Sequence, residues 1–255
     1  MNRSEILARY DAEMRADPPA DPGVRIERTP EIVRAVGRYN CIVYSDLGRV
    51  DAGAAIADQA AHFIALGDDV EWKVYDHDLP LDLGKRLGMA GFVADEPETL
   101  MAFDLANELH AGPLPPDIDV KRVVDPQGLA DLIAVNAATW DHGDPSMYEA
   151  FSQRLLDPTL GLFVGYAGGR PVAAARLEMP QHRSFAGLWG GCTVPDQRRR
   201  GIFRAIVAAR AREALARGFR YLNVDAAASS RPILQRLGFV ALTGVTGWKL
   251  NAPKP

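Results

Sequence analysis

The chain has 255 residues, 47% of them apolar and 24% charged, and a formal net charge of −4 at pH 7. That is ordinary globular composition, long enough for one large domain or two small ones that each bury a core. The acidic balance disfavours a general nucleic-acid or membrane-surface protein, and no apolar run reaches the ~20 residues of a spanning helix.

The opening stretch MNRSEILARYDAEMRADPPADPGV lacks an apolar leader core and reads as a short helix followed by a Pro/Asp-rich surface loop. Next, NCIVYSDL reads as a strand and DAGAAIADQAAHFIALG as a helix ended by Gly67. DVEWKVYDHD is a strand, PLDLGKRLGMAGF a short helix running into Gly91-Phe92, and TLMAFDL another strand. The segment HAGPLPPDI, rich in proline, cannot sustain a helix or a central strand, and we place the joint there, dividing the chain into residues 1–112 and 113–255.

Beyond the joint, IDVKRVV and GLADLIAVNAATW give a strand and a helix, and GLFVGYAGGRPVAAARLEM a hairpin turned at Gly168-Gly169. FAGLWGGCTV is a strand, GIFRAIVAARAREALARG a helix ended by Gly218, RYLNVDA a strand, SRPILQRLGF a helix running into Gly238-Phe239, and TGVTGWKL the closing strand. On the long helix, Phe203, Val207, Ala211 and Ala214 share one apolar face with Leu215 at its edge, while Arg210, Arg212, Glu213 and Arg217 point elsewhere. Helix, strand, helix, Gly-Phe and strand recur in both halves at similar spacing, which suggests an internal duplication. The fold class is α/β, with a mixed sheet rather than a purely parallel one. Cys41 and Cys192 lie far apart in apolar, strand-like settings with no CxxC or Cys/His cluster, so we expect reduced core thiols, no metal and a cytoplasmic protein.

The stretch PDQRRRGIF, between a strand and a helix start, carries the chemistry. A helix's first turn exposes unpaired N–H groups and the positive end of its dipole, and Gly201 lets a ligand approach the main chain. Arginines at such an end are unfavourable by roughly a few tenths of a kcal/mol per charge unless an anion, such as a pyrophosphate, fills the space. A solvated basic turn is the bland alternative; a nucleic-acid patch is disfavoured by the acidic balance and the lack of interleaved aromatics. The Walker pattern GxxxxGK[ST] is absent.

VPDQRRRGIFRAI resembles the acetyl-CoA signature of the GNAT superfamily of N-acetyltransferases, Arg/Gln-x-x-Gly-x-Gly/Ala, with Arg198 in the first place and Gly201 in the glycine place. VDAAASSRPILQRLGF resembles that superfamily's next strand and helix. The likeness runs from about Asp119 to Leu250, and the N-terminal half is similar to a degenerate copy, as in tandem GNAT proteins. It implies two GNAT-like halves, the C-terminal one a complete acetyl-CoA-binding fold, in a monomer or homodimer that moves acetyl from acetyl-CoA to an unidentified amine acceptor. It further implies that Leu188 to Val194 splays from Tyr221 to Asp225, so that backbone groups of Cys192, Thr193 and Val194 meet the pantetheine arm and support an oxyanion. The amides of Arg199, Arg200, Gly201, Ile202 and Phe203 would hold the pyrophosphate, with Arg198 and one neighbouring arginine screening its charge.

Three positions depart from the family pattern. Phe203 takes the last Gly/Ala place. Ala227 stands where a pantetheine-binding Asn is usual, leaving Ser229 or Ser230 as substitutes. Leu234 takes the place of the tyrosine that protonates the leaving thiolate, though a thiol titrating near pH ~8.5 departs with less help than an alcohol; Tyr221 is another conceivable donor. For the base that an ammonium acceptor needs, the candidates are Glu178 and Asp225, ahead of His182 in PQHRS. Each has a structural alternative: a surface carboxylate, a helix cap, a solvated imidazole. TWDHGD, from Thr139 to Asp144, is either an acceptor contact or a plain loop. Cys192 as an acyl-carrying nucleophile lacks a nearby His. The N-terminal counterpart of the charged turn, SDLGRVDAGAAIA, has two aspartates and no signature spacing, so one CoA site per chain is expected. The rival reading is a CoA-binding module without turnover, kept open by Leu234 and Ala227.

Overall fold

The computed structural model describes residues 2–113, 115–140 and 146–252. They form two compact units interleaved in sequence: Met1–Met101 with Asp225–Arg231 and Ala241–Pro255, and Ala102–Val224 with Pro232–Val240. Both are helices packed on mixed strands, the expected fold class.

In the first unit, α1 (Arg3–Tyr10) starts at Asn2, whose side chain accepts from the Ser4 amide, and runs straight into a π-helical turn, Asp11–Ala16. This differs from the surface loop expected after a short helix. Arg15, only 2% exposed, donates to both oxygens of Asp78 at 2.7 Å and lies 3.9 Å from the centre of the Tyr75 ring. The segment is thus docked by a buried bidentate ion pair that its charged composition disguises.

Strands β1 (Val24–Arg28), β2 (Ile32–Gly37) and β3 (Cys41–Ser45) follow, then α2 (Ala52–Leu66), β4 (Val70–Tyr75), α3 (Leu83–Met89), β5 (Val93–Ala94) and β6 (Glu98–Asp104). The antiparallel pair β1–β2 is absent from the sequence reading because its arginines and glutamates interrupt the apolar alternation. The long closing strand β12 (Val240–Leu250) completes the order β1-β2-β3-β4-β12, with Trp248 opposite Trp72. Along β4, Val70 and Trp72 join a core with Ile56 and Phe63 of α2 and Leu83 and Leu87 of α3. The alternate residues Glu71, Lys73 and Tyr75 therefore belong to the opposite face.

The second unit holds β7 (Ile118–Arg122), α4 (Pro126–Thr139), α5 (Ser146–Ser152), β8 (Leu160–Ala167) and β9 (Arg170–Glu178). They lead into β10 (Phe185–Thr193), α6 (Ile202–Ala216), β11 (Tyr221–Ala226) and α7 (Arg231–Leu237). Strand order is β11-β10-β9-β8-β7, antiparallel except for the parallel pair β10–β11. Gly168 and Gly169 make the β8–β9 turn at φ 55° and 84°, and Gly218 follows α6 at φ 85°, both as expected. The apolar face of α6 departs from the reading in one respect. Arg210, expected to point away, is 2% exposed and lies among Ile206, Val207, Ala211 and Ala214 on the buried side.

Candidate active site

The turn from β10 to α6 passes through a short 3-10 turn, Pro195–Gln197, and then two left-handed residues, Arg199 at φ 63° and Gly201 at φ 83°. A β-carbon on Gly201 would lie 3.0 Å from Arg204 Nη2. Such alternating conformations turn successive amides toward one side, the geometry of an anion nest. No side chain caps α6, so the first-turn amides of Ile202, Phe203 and Arg204 lack a partner from the helix or its cap residue.

The three arginines are not equivalent. Arg198 Nε donates to the Thr193 carbonyl at 3.1 Å, and Arg200 pairs with Asp117 and Gln197. Arg199 is exposed and, among the described residues, has no hydrogen-bond or ion-pair partner; Arg204 is likewise free. Sequence spacing placed a cation at the turn but left open which neighbour of Arg198 was available. Helix α2 of the first unit shows the contrast. Its Asp51 carboxylate accepts from the amides of Gly53 at 2.9 Å and Ala54 at 3.1 Å, which plugs that helix start with a negative charge.

Upstream of the turn, β10 pairs with β11 only from Phe185 opposite Tyr221 to Gly187 opposite Asn223. On its other edge β10 stays paired with β9 as far as Thr193, with a bulge between Trp189 and Cys192. The β11-side edge of Leu188–Thr193 therefore makes no ladder to β11. Two buried polar atoms, Thr193 Oγ1 and Asn223 Oδ1, have no hydrogen-bond partner among the described residues, and Asn223 is 2% exposed. Buried polar groups are rarely left so. Sequence reasoning passed over Asn223; its only signal is an amide side chain in mid-strand, between Leu222 and Val224.

The open edge, orphaned atoms, uncapped helix and free arginine fit an extended ligand with amide groups and a phosphate end, as acetyl-CoA has. Cys192, Thr193, Val194 and Arg198 to Phe203 are thus gathered on one strand, turn and helix start. Ser229 and Ser230 belong to the other compact unit, where Ser230 Oγ donates to the Ala227 carbonyl at 3.1 Å.

Glu178 ends β9 opposite Gly187, with one carboxylate oxygen 2.9 Å from Arg176 Nε and 29% of its side chain exposed. Asp225 lies in the first unit, two residues beyond the last β11 residue paired with β10; its Oδ2 is 2.5 Å from Lys73 Nζ. Its Oδ1 is buried with no hydrogen-bond partner among the described residues. Burial opposes the charge of Lys73, but the Asp225 carboxylate outweighs it and raises the lysine pKa. Cys192 is buried, its thiol donating to Asn136 Oδ1 at 3.3 Å, and burial pushes its pKa up, so it has the character of a core thiol and not of a nucleophile. Cys41 is also buried and free, its thiol pushed up to about 12 by burial.

His182 is exposed, at φ 58° in the β9–β10 hairpin. Tyr221 stacks on Phe185, ring centres 5.0 Å apart, at the opposite end of β11 from Asp225. Leu234 is 1% exposed, a core residue of α7. Of TWDHGD, Asp141 to Asp144 lie outside the described residues. Among the described residues, no group of three or more His, Cys, Asp or Glu is placed to hold a metal ion, and no helix is long and apolar enough to cross a membrane.

No curated protein sequence matches the chain. Residues 130–239 match the family model described as the acetyltransferase (GNAT) family. A GCN5-related N-acetyltransferase from Kribbella flavida superposes with a TM-score of 0.71 at 16% identity, over 92% of this chain and 91% of that one. A tandem GNAT protein from the clavulanic acid biosynthesis pathway gives 0.66 at 13% identity, over 99% and 95%. A GCN5-related N-acetyltransferase from Sphaerobacter thermophilus gives 0.65 at 13% identity, over 99% and 86%. At these identities the likeness is one of fold, and it extends over nearly the whole chain.

Proposed function

From the match of residues 130–239 to the acetyltransferase (GNAT) family model, we propose that this protein moves an acetyl group from acetyl-CoA to an amine acceptor by direct attack in a ternary complex. Acetyl-CoA supplies the activated acyl group. The observation that carries the reading is the uncapped start of α6, where unpartnered amides meet the free Arg199.

The amides from Arg199 to Phe203 bind the diphosphate, with Arg198 held against Thr193 beside them. The open β10 edge at Cys192 and Thr193 lines up the pantetheine arm and gives oxyanion support. Val194, expected to join them, does not, because its amide donates to the Val172 carbonyl at 2.9 Å and its carbonyl accepts from the Gln197 amide at 3.0 Å. The acceptor's proton passes to a carboxylate, for which Glu178 and Asp225 remain the candidates. Residues 1–112 and 113–255 are read as two GNAT-like halves, with α2 closed to a diphosphate by Asp51 and one CoA site per chain. The protein works as a monomer or homodimer in the cytoplasm.

A CoA-binding module without turnover is the second reading, favoured by Leu234, which is buried and can donate nothing. Thiol release from acetyl-CoA in the presence of a panel of small amines tests the two. Amine-dependent release supports transfer; CoA binding with no release from any amine supports the module.

A further inference from the structure

Arg210 is the residue whose placement the sequence pattern misjudged, and its surroundings are unusual. On α6, 2% exposed, it donates from Nε to the Ile206 carbonyl at 3.3 Å and from Nη1 to the Arg176 carbonyl at 3.1 Å. Arg176 stands opposite Trp189, where β10 bulges. Nη2 has no hydrogen-bond partner among the described residues and lies 3.6 Å from where a β-carbon on Gly191 would be. Gly190, at φ 56°, and Gly191 are exposed. They put no side chain of their own between the bulge and the guanidinium, though the Phe203 ring, its Cε2 3.4 Å from the same point, stands beside it.

Among the described residues, no carboxylate compensates this charge. On β9, Glu178 is taken by Arg176; on α6, Glu213 is taken by Arg122 at 3.1 Å and Arg217 at 2.7 Å. β10 contributes the Cys192 thiol, which donates to Asn136, and β8 the Tyr166 hydroxyl, which donates to Asp131. Burial alone acts on the Arg210 pKa, bringing it down to about 9, so the group is still charged at neutral pH. Satisfying two backbone carbonyls calls for donors and not for a full charge. A cation held in the interior without a counter-ion is costly, and such sites are found where negative charge is to be received.

We propose that Arg210 receives the negative charge of the CoA sulphur at the β10 bulge, filling the place of the hydroxyl donor that Leu234 cannot supply. The assignment rests on the acetyl-transfer reading above. In that reaction the acceptor nitrogen bonds to the acyl carbon and the carbon–sulphur bond breaks. The electron pair leaves on sulphur and the nitrogen's proton goes to a carboxylate base. The products are an amide and a CoA thiolate, which pairs with Arg210.

The test measures binding as well as turnover. Calorimetry between about pH 6 and pH 8.5, approaching and reaching the range of a free thiol, compares CoA with desulfo-CoA on the wild type, Arg210→Met and Arg210→Lys. The wild type should favour CoA over desulfo-CoA about fivefold more at the upper end, as a nearby cation lowers a thiol pKa by about one unit. Arg210→Met should lose that dependence while keeping its affinity for desulfo-CoA, and Arg210→Lys should retain it. With an active amine, kcat should fall about a hundredfold in Arg210→Met, with little change in the KM for acetyl-CoA. If Arg210→Met does not fold, the thiolate absorbance of CoA bound to the wild type decides, since an unshifted thiol titration overturns the assignment. A pH dependence shared by wild type and Arg210→Met also overturns it. A chain that binds neither CoA nor desulfo-CoA sinks the acetyl-transfer reading itself, and this assignment with it.

Discussion

Replacing Lys73 by methionine isolates a buried charge. Lys73 Nζ is 2.5 Å from Asp225 Oδ2, and the two side chains are 20% and 3% exposed. Methionine keeps the packing of the lysine stem but leaves Asp225 ionised in the interior, with its second oxygen already unpartnered. Removing one member of a buried pair costs about 3–5 kcal/mol. Water reaches the exposed fifth of Lys73, so the lower end, about 3 kcal/mol, is the expectation. Urea unfolding at neutral pH of Lys73→Met, Asp225→Asn and the double variant gives the coupling, which should be about 2 kcal/mol because the double variant no longer buries a charge. A loss under about 0.5 kcal/mol, or single effects that simply add, would refute the buried-pair argument.

Gly201→Asp should place a carboxylate among the α6 amides. One pair of like charges about 4 Å apart at an effective dielectric of about 20 repels by about 4 kcal/mol, so CoA affinity should fall more than a hundredfold by calorimetry; an unchanged affinity places the diphosphate elsewhere. Asp51→Ala should destabilise the protein by about 1 kcal/mol through the lost α2 cap while leaving CoA affinity untouched, and a change in affinity would contradict one site per chain. His77 and Asp11 should make docking of α1 pH-dependent. The hydrogen bond to Asp11, 2.8 Å from Nε2, raises the His77 pKa. That stabilisation is complete below the unfolded value of about 6.5 and is lost as pH rises through the folded one. For Asp11, burial pushes the pKa up, but hydrogen bonds from His77 and Arg15 prevail and lower it, so its contribution is lost as pH falls through the folded value. Protection of the Ile6–Tyr10 amides against hydrogen exchange, relative to their intrinsic rate at each pH, should therefore be greatest between these limits, and a flat protection profile would count against the latch.

What the sequence could reveal depended on whether a signal was local. Helices α2 and α6, their terminal glycines and the Gly168-Gly169 hairpin were legible because periodicity and left-handed glycines are local properties. The charged turn was legible because an Arg cluster before a helix start conflicts with the helix dipole. Three features depended on distant partners and were not. The buried role of Arg15 was invisible in its charged stretch because Asp78, which buries it, is 63 residues away. Arg210 broke the amphipathic pattern because the carbonyl it meets, Arg176, is set by a bulge between two strands. Lys73 and Asp225, 152 residues apart, signalled nothing as a pair until the fold brought β4 and the end of β11 into one compact unit.

Calorimetric titration of CoA into the full chain, wild type beside Arg199→Glu, tests the central claim most directly. One CoA should bind per chain, with an affinity lowered at least tenfold by the reversed charge. Two CoA per chain, no binding at millimolar CoA, or equal affinity in the two proteins would contradict a diphosphate resting on the amides where α6 begins.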